Sequence, residues 1–191
     1  MTVETSCTNT ETQWYVLRVT YQRELSAKKK LDEMGIESFV PMKTANVTSK
    51  TGKSAIKKVS ALHNYIFVHS NSKIIDDIKQ TKLPWLRYAM IYTSNGKRIK
   101  MTVPQKQMYD FMTIANSEEK DIAYLSPDET SYSSGDKVRI LRGPFAGVEG
   151  AYIKMDKRRG RSVVVRIDGV TAIATATIPA RDIEPIKKQD K

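Results

Sequence analysis

Cysteine is almost missing: the one thiol in 191 residues, Cys7, lies in a polar N-terminal stretch, so no disulfide can close within the chain. Long apolar runs are missing too. None approaches the roughly 18 residues of a membrane-spanning helix, which excludes a helical integral membrane protein. The opening MTVETSCTNTETQ is polar and acidic and lacks the apolar stretch of a secretory signal, so cytoplasmic residence is the expectation. Histidine is scarce. His63 and His69 stand six apart in and beside one strand-like run, with no cysteine or carboxylate spaced to complete a zinc site. Asp76 and Asp77 are adjacent, point apart on a helix and make a poor acid–base pair. Thr51-Gly52-Lys53-Ser54 ends like a phosphate-binding loop but lacks its first glycine. A thiol in a polar tail has no preorganised base. Neither enzymatic activity nor a metal or other cofactor is expected.

Acidic residues are the next shortage. There are 32 Lys and Arg against 21 Asp and Glu, a net charge of +11. The excess is unevenly spread. Residues 1–115 carry 18 basic and 9 acidic side chains, residues 116–133 carry one and five, and residues 134–191 carry 13 and seven. Two basic blocks therefore flank a short acidic stretch, NSEEKDIAYLSPDETSYS, which reads as a linker. Two basic globular units suggest a polyanionic partner such as nucleic acid or a ribonucleoprotein.

In the first block, residues 14–20 (WYVLRVT) have the aromatic and β-branched content of a strand. Residues 21–34 read as a helix with Ala27, Leu31 and Met34 on one stripe and Gly35 as its stop. A second short strand covers 36–40. The stretch KTANVTSKTGKSAIKKVS has five lysines and reads as an exposed basic loop or loose hairpin. A third strand covers 61–68, and Ile74, Ile75 and Ile78 mark a helix after it. Residues 86–92 and 97–103 read as a hairpin closed at Asn95-Gly96. Pro104 opens a helix whose apolar face is Met108, Phe111, Met112 and Ala115. Helices mixed with a direct hairpin predict an α+β layered domain.

The second block opens with GDKVRILRGPFAGVEG. Val138, Ile140, Val148, Ile153, Val163, Val165, Ile167, Ile173 and Ile178 supply inward positions on about four short strands. Glycines at 147 and 150 suit the sharp bends of a small barrel. Closure limits exposed edges, so an SH3-like all-β barrel is the expected form. Lys157, Arg158, Arg159 and Arg161 cluster around Gly160.

These residues carry a resemblance. GDKVRILRGPFAGVEG resembles the KOW motif. WYVLRV, the helix after it, Phe39-Val40-Pro41 and Leu62-His63-Asn64-Tyr65-Ile66-Phe67-Val68 look like the N-terminal (NGN) domain of NusG-type transcription elongation factors. The two domains stand in NusG order. KLPWLRYAMIYTSNGKRIKMTVPQKQMYDFM and the segment from Asp168-Gly169 to Ile178-Pro179 look more like the UpxY-type antiterminators of capsular polysaccharide operons. The implied fold is an NGN-type antiparallel sheet with flanking helices, then a KOW barrel. The implied layout is a disordered tail over 1–13, the NGN domain over 14–115, a linker over 116–133, the KOW domain over 134–186 and a basic tail over 187–191.

The resemblance implies an operon-specific antiterminator. It would bind the clamp helices of the RNA polymerase largest subunit through an apolar concavity and suppress pausing and termination. Leu62 and Tyr65 take the polymerase-contact positions, with Trp14, Tyr15 and Phe67 beside them. Arg23, Lys30 and Arg87 are placed to meet non-template DNA or upstream duplex, and nascent RNA is the alternative nucleic-acid partner. Phe145, in the Gly-Pro-Phe turn, is the candidate for a KOW partner surface toward a ribosomal protein or a termination factor. Leu62-His63-Asn64 replaces the Phe-Pro-Gly of general factors, and Asp168 replaces an aromatic that helps bind those KOW partners. A general elongation factor, or an RNA- or ribosome-binding KOW protein, is the alternative. A monomer is expected, and a barrel that does not switch fold, since Val163-Val164-Val165 and residues 173–178 favour strands.

Overall fold

Strand β1 (Gln13–Val19) runs through the middle of its sheet because Trp14, Tyr15, Val16 and Leu17 are all buried, a consecutive apolar run that only an interior strand can cover on both faces. The computed structural model describes residues 11–48, 52, 54–119, 121–125, 136–154 and 160–186. Two compact units divide the chain: Met1–Val40 with Leu62–Pro104, and Pro41–Ala61 with Gln105–Lys191. The architecture is α+β with antiparallel sheets.

In the first unit, α1 (Glu24–Glu33) starts three residues later than its apolar stripe suggests. Tyr21 and Gln22 take left-handed φ values of 58° and 53°, and this turn reverses the chain from β1 into the helix. Ala27 and Leu31 are buried, and Gly35, at φ 69°, ends the helix. β2 (Ser38–Phe39) follows, and later β5 (Tyr65–Ser70) and α2 (Ser72–Thr81). Asn71 caps α2 by accepting the Ile74 N–H at 2.9 Å. Ile75 and Ile78 are buried, whereas Ile74 is 45% exposed.

The two strands expected over 86–103 are each broken in the middle. Ala89 and Met101 join their backbones to β1 and to each other: Ala89 N–H donates to Val16 O, Met101 N–H to Ala89 O, and Val16 N–H to Met101 O. The inner halves, β6 (Leu86–Tyr88) and β9 (Thr102–Val103), pair with β1. The outer halves, β7 (Met90–Tyr92) and β8 (Arg98–Lys100), leave it as a separate hairpin. Sheet order is β2-β5-β1-β6, with β9 also on β1.

In the second unit, the lysine-rich stretch forms an ordered ribbon, β3 (Met42–Thr48) paired with β4 (Ser54–Ser60). α3 (Gln105–Ala115) packs on the barrel strands β13 (Arg161–Ile167) and β14 (Thr171–Thr177), so the expected domain end at 115 does not coincide with a boundary between units. The acidic stretch is not all linker. β10 (Ala123–Leu125) pairs with β14, because Leu125 packs on Ile153, Val164, Ala172 and Ala174; three apolar residues are hidden in an average over 18. With β11 (Asp136–Ile140), β12 (Glu149–Lys154) and β15 (Ile183–Pro185), the barrel sheet runs β10-β14-β13-β12-β11-β15. The tail assignments over 1–10 and 187–191, most of the remaining linker, and Lys157, Arg158 and Arg159 lie outside the described residues.

Candidate functional site

Antiparallel register sets three side chains in a row across β5, β1 and β6: Tyr65 opposite Arg18, and Arg18 opposite Arg87. Arg18 Nη2 donates to Tyr65 Oη at 2.9 Å, and its guanidinium lies 5.4 Å from the ring centre. Arg87 donates from Nη1 to the carbonyls of Pro84 and Leu86, the second at 2.8 Å. Like charges directly opposite on neighbouring strands repel. Among the described residues no carboxylate forms an ion pair with Arg18, Arg87 or Arg98.

The three arginines line one open recess of about 900 Å³, together with Val19, Tyr21, Asn64, Tyr88 and Met90. Its rim is held in an uncommon backbone state. Tyr21, Gln22 and Asn64 are the positive-φ residues other than glycine among those described, and all three meet here. Asn64 O accepts the Val19 N–H at 2.9 Å, and its side-chain oxygen accepts the Gln22 N–H at 3.3 Å. The Asn64 N–H donates to the carboxylate of Glu24, which is 2% exposed. Left-handed conformations are costly for side-chain-bearing residues and cluster where a site must be held in shape.

The Tyr88 wall adds to the positive field. Burial, and then the negative charge of Asp76, push the Tyr88 hydroxyl well above its ordinary range, so it stays a neutral donor, here to Ser72 O at 3.2 Å. Lys79 and Lys100 each lie 4.2 Å from the Tyr88 ring centre. Burial raises the Asp76 carboxyl, but hydrogen bonds from Lys100 at 2.8 Å and Lys79 at 3.3 Å, with their charges, bring it below the usual carboxylate value. Its charge is thus matched by two lysines, and none of the three arginines has an ion-pair partner among the described residues. Planar guanidinium groups of this kind take phosphate or carboxylate through paired hydrogen bonds.

Several expected site residues lie elsewhere. Tyr65 and Leu62 are half-buried, with Tyr65 beside the recess through Arg18. Trp14, Tyr15 and Phe67 are 3%, 3% and 0% exposed. Trp14 stacks on His69, Tyr15 meets Tyr88 edge to face and Phe67 packs at a tilt on Phe39, with ring centres 5.0, 5.6 and 6.4 Å apart. Interior strands bury both faces, so these three rings brace the sheet and offer no contact surface. The recess is not purely apolar: Val19 and Met90 line it together with Arg18, Arg87 and Arg98.

Arg23 is exposed just before α1, its guanidinium 5.6 Å from the Tyr21 ring centre and 5.7 Å from that of Trp85. Lys30 is exposed on α1 and does not line the recess. Phe145 is 1% exposed; its ring packs inside the turn of the second unit and presents no partner surface. Arg18 and Arg98 were not among the expected site residues. The signal for Arg18 is a charge in a strand whose neighbours Leu17 and Val19 are apolar. Among the described residues, no group of His, Cys, Asp and Glu is placed to hold a metal ion, and no helix is long and apolar enough to cross a membrane.

A family model described as "Transcription termination factor nusG" matches residues 12–112, from β1 into α3 and just over half the chain. The large ribosomal subunit protein uL24 of Sulfolobus acidocaldarius is 31% identical over 78 residues, 41% of this chain. The chain spans 55% of that protein's length.

Proposed function

Because the chain belongs to the NusG family, we propose that it is a non-enzymatic, cytoplasmic antiterminator that rides on RNA polymerase and suppresses pausing and termination. The observation that carries the reading is the recess lined by Arg18, Arg87 and Arg98, with Tyr65 bonded to Arg18 beside it and, among the described residues, no carboxylate in an ion pair with these arginines. A partner helix from the polymerase clamp, presenting carboxylates among apolar side chains, would supply the missing charge. Val19, Met90, Leu62 and Tyr65 give the apolar part of the contact. Arg23, flanked by Tyr21 and Trp85, is the best-built candidate for non-template DNA, since cations with aromatic neighbours suit exposed bases and phosphates. Action on capsular polysaccharide operons rests on the likeness of residues 82–112 and 168–179 to the UpxY type.

Single-round transcription through a pause and a terminator tests this. Added wild-type protein is expected to lengthen the products, and Arg18→Glu with Arg98→Glu to abolish the effect at an unchanged melting temperature. Equal read-through by the variant would remove the recess from the mechanism. The match to uL24 favours a second reading, in which the barrel unit binds RNA or the ribosome. Polymerase would then be unaffected, and affinity would reside in RNA and fall steeply with salt.

A further inference from the structure

The β3–β4 ribbon lies outside the recess and carries its own pattern. Its register pairs Thr44 with Lys58, Asn46 with Ile56 and Thr48 with Ser54. All six side chains share one face and are exposed, Ile56 to 75%. The opposite face carries Ala45, Val47 and Val59, each partly buried, with Lys43 and Lys57 exposed among them. From Ser38 to Ile75 the chain has no Asp or Glu, and five lysines fall between Lys43 and Lys58. The base of the ribbon is fixed: Ala61 N–H donates to Pro41 O at 2.7 Å, and Tyr124 Oη donates to Met42 O at 3.2 Å.

We propose that this ribbon enters the major groove of duplex DNA and reads base edges with its Thr44–Asn46–Ile56–Lys58 face. A groove about 12 Å wide admits a two-stranded antiparallel ribbon, whereas the deep, narrow groove of duplex RNA does not. The face holds the chemistry that base edges require. An Asn amide pairs with the donor and acceptor of adenine, a Lys ammonium meets the acceptors of guanine, and Ile or Thr methyls pack on the thymine methyl. Lys43 and Lys57, on the opposite face, add to the ribbon's long-range attraction for phosphates, which carries no sequence information. Lysines also blunt exposed strand edges, but that role does not account for Asn46 and a bare Ile56 facing each other at mid-ribbon.

The inference goes beyond the elongation reading and stands on the ribbon alone. The experiment is selection by the full chain from a library of randomised 20-base-pair duplex DNA, in parallel with duplex RNA of the same length. A short enriched DNA motif is expected. Asn46→Ala should lose roughly tenfold in preference at one position of it, and Lys57→Ala should weaken binding to all sequences and flatten the salt dependence. Both residues are exposed, and an unchanged thermal melt confirms intact variants; Ile56→Ser provides a second probe of the same face. The proposal is overturned if no DNA motif emerges, if duplex RNA is preferred, or if Asn46→Ala and Ile56→Ser both leave the motif unchanged. Read-through on a template without the motif is expected to persist in Asn46→Ala, so failure of the ribbon and failure of the recess are separable.

Discussion

At the residue scale, Asn64 ties the recess together. Its backbone carbonyl, its side-chain oxygen and its N–H hold Val19, Gln22 and Glu24 respectively, all at φ 66°. Asparagine tolerates that conformation better than alanine, so Asn64→Ala is expected to cost about 1 kcal/mol in chemical denaturation. Asn64→Gly should cost less, because glycine removes the backbone penalty. Arg18 separates stability from function more sharply. Its charge opposes Arg87 directly, so Arg18→Gln is expected to hold or raise the melting temperature by relieving repulsion while lowering polymerase read-through. A fall in melting temperature with read-through intact would make Arg18 a structural residue. Little of this site was legible in the sequence. Arg18, Arg87 and Arg98 are brought together only by the pairing of β1 with β6 and by the outward turn of β7 and β8. No local pattern encodes that register.

Elements were far more legible than the site, because helix and strand periods are local. The glycine stop at Gly35, the Pro104 helix start and the barrel strands all follow from neighbouring residues. Two kinds of error remained. Family resemblance places Trp14, Tyr15 and Phe67 at contact positions, and motif position does not tell a buried aromatic from an exposed one. Averaged charge hid β10 inside an acidic segment. The barrel gives two tests at this scale. A methyl group on Gly150 would lie 2.6 Å from Val164 O and 2.8 Å from Val163 Cγ1, so Gly150→Ala is expected to destabilise this unit by roughly 1–3 kcal/mol in a denaturant titration. Glu149 is held below its ordinary value of 4.5 by hydrogen bonds from Arg139, against burial and with help from Lys106 and Lys137. Its depressed folded value means stability that is present above the ordinary value and lost as pH falls through the folded one. The melting temperature of the barrel should therefore fall in that acid window, and Glu149→Gln should flatten the fall.

For the whole molecule, a net charge of +11 guarantees some salt-sensitive attraction to any polyanion, so bulk charge must be separated from the built recess. Lys30 serves as the reference, being exposed, basic and outside the recess. The most direct measurement is capture of a polymerase clamp-helix fragment by the full chain, comparing wild type, Arg18→Glu and Lys30→Glu at one ionic strength. Capture by Arg18→Glu is expected to fall at least tenfold, a loss of the size seen for truncated charge pairs at interfaces, while Lys30→Glu stays within about twofold of wild type. Equal losses in the two variants, or none in either, would contradict a polymerase contact built on the arginine recess.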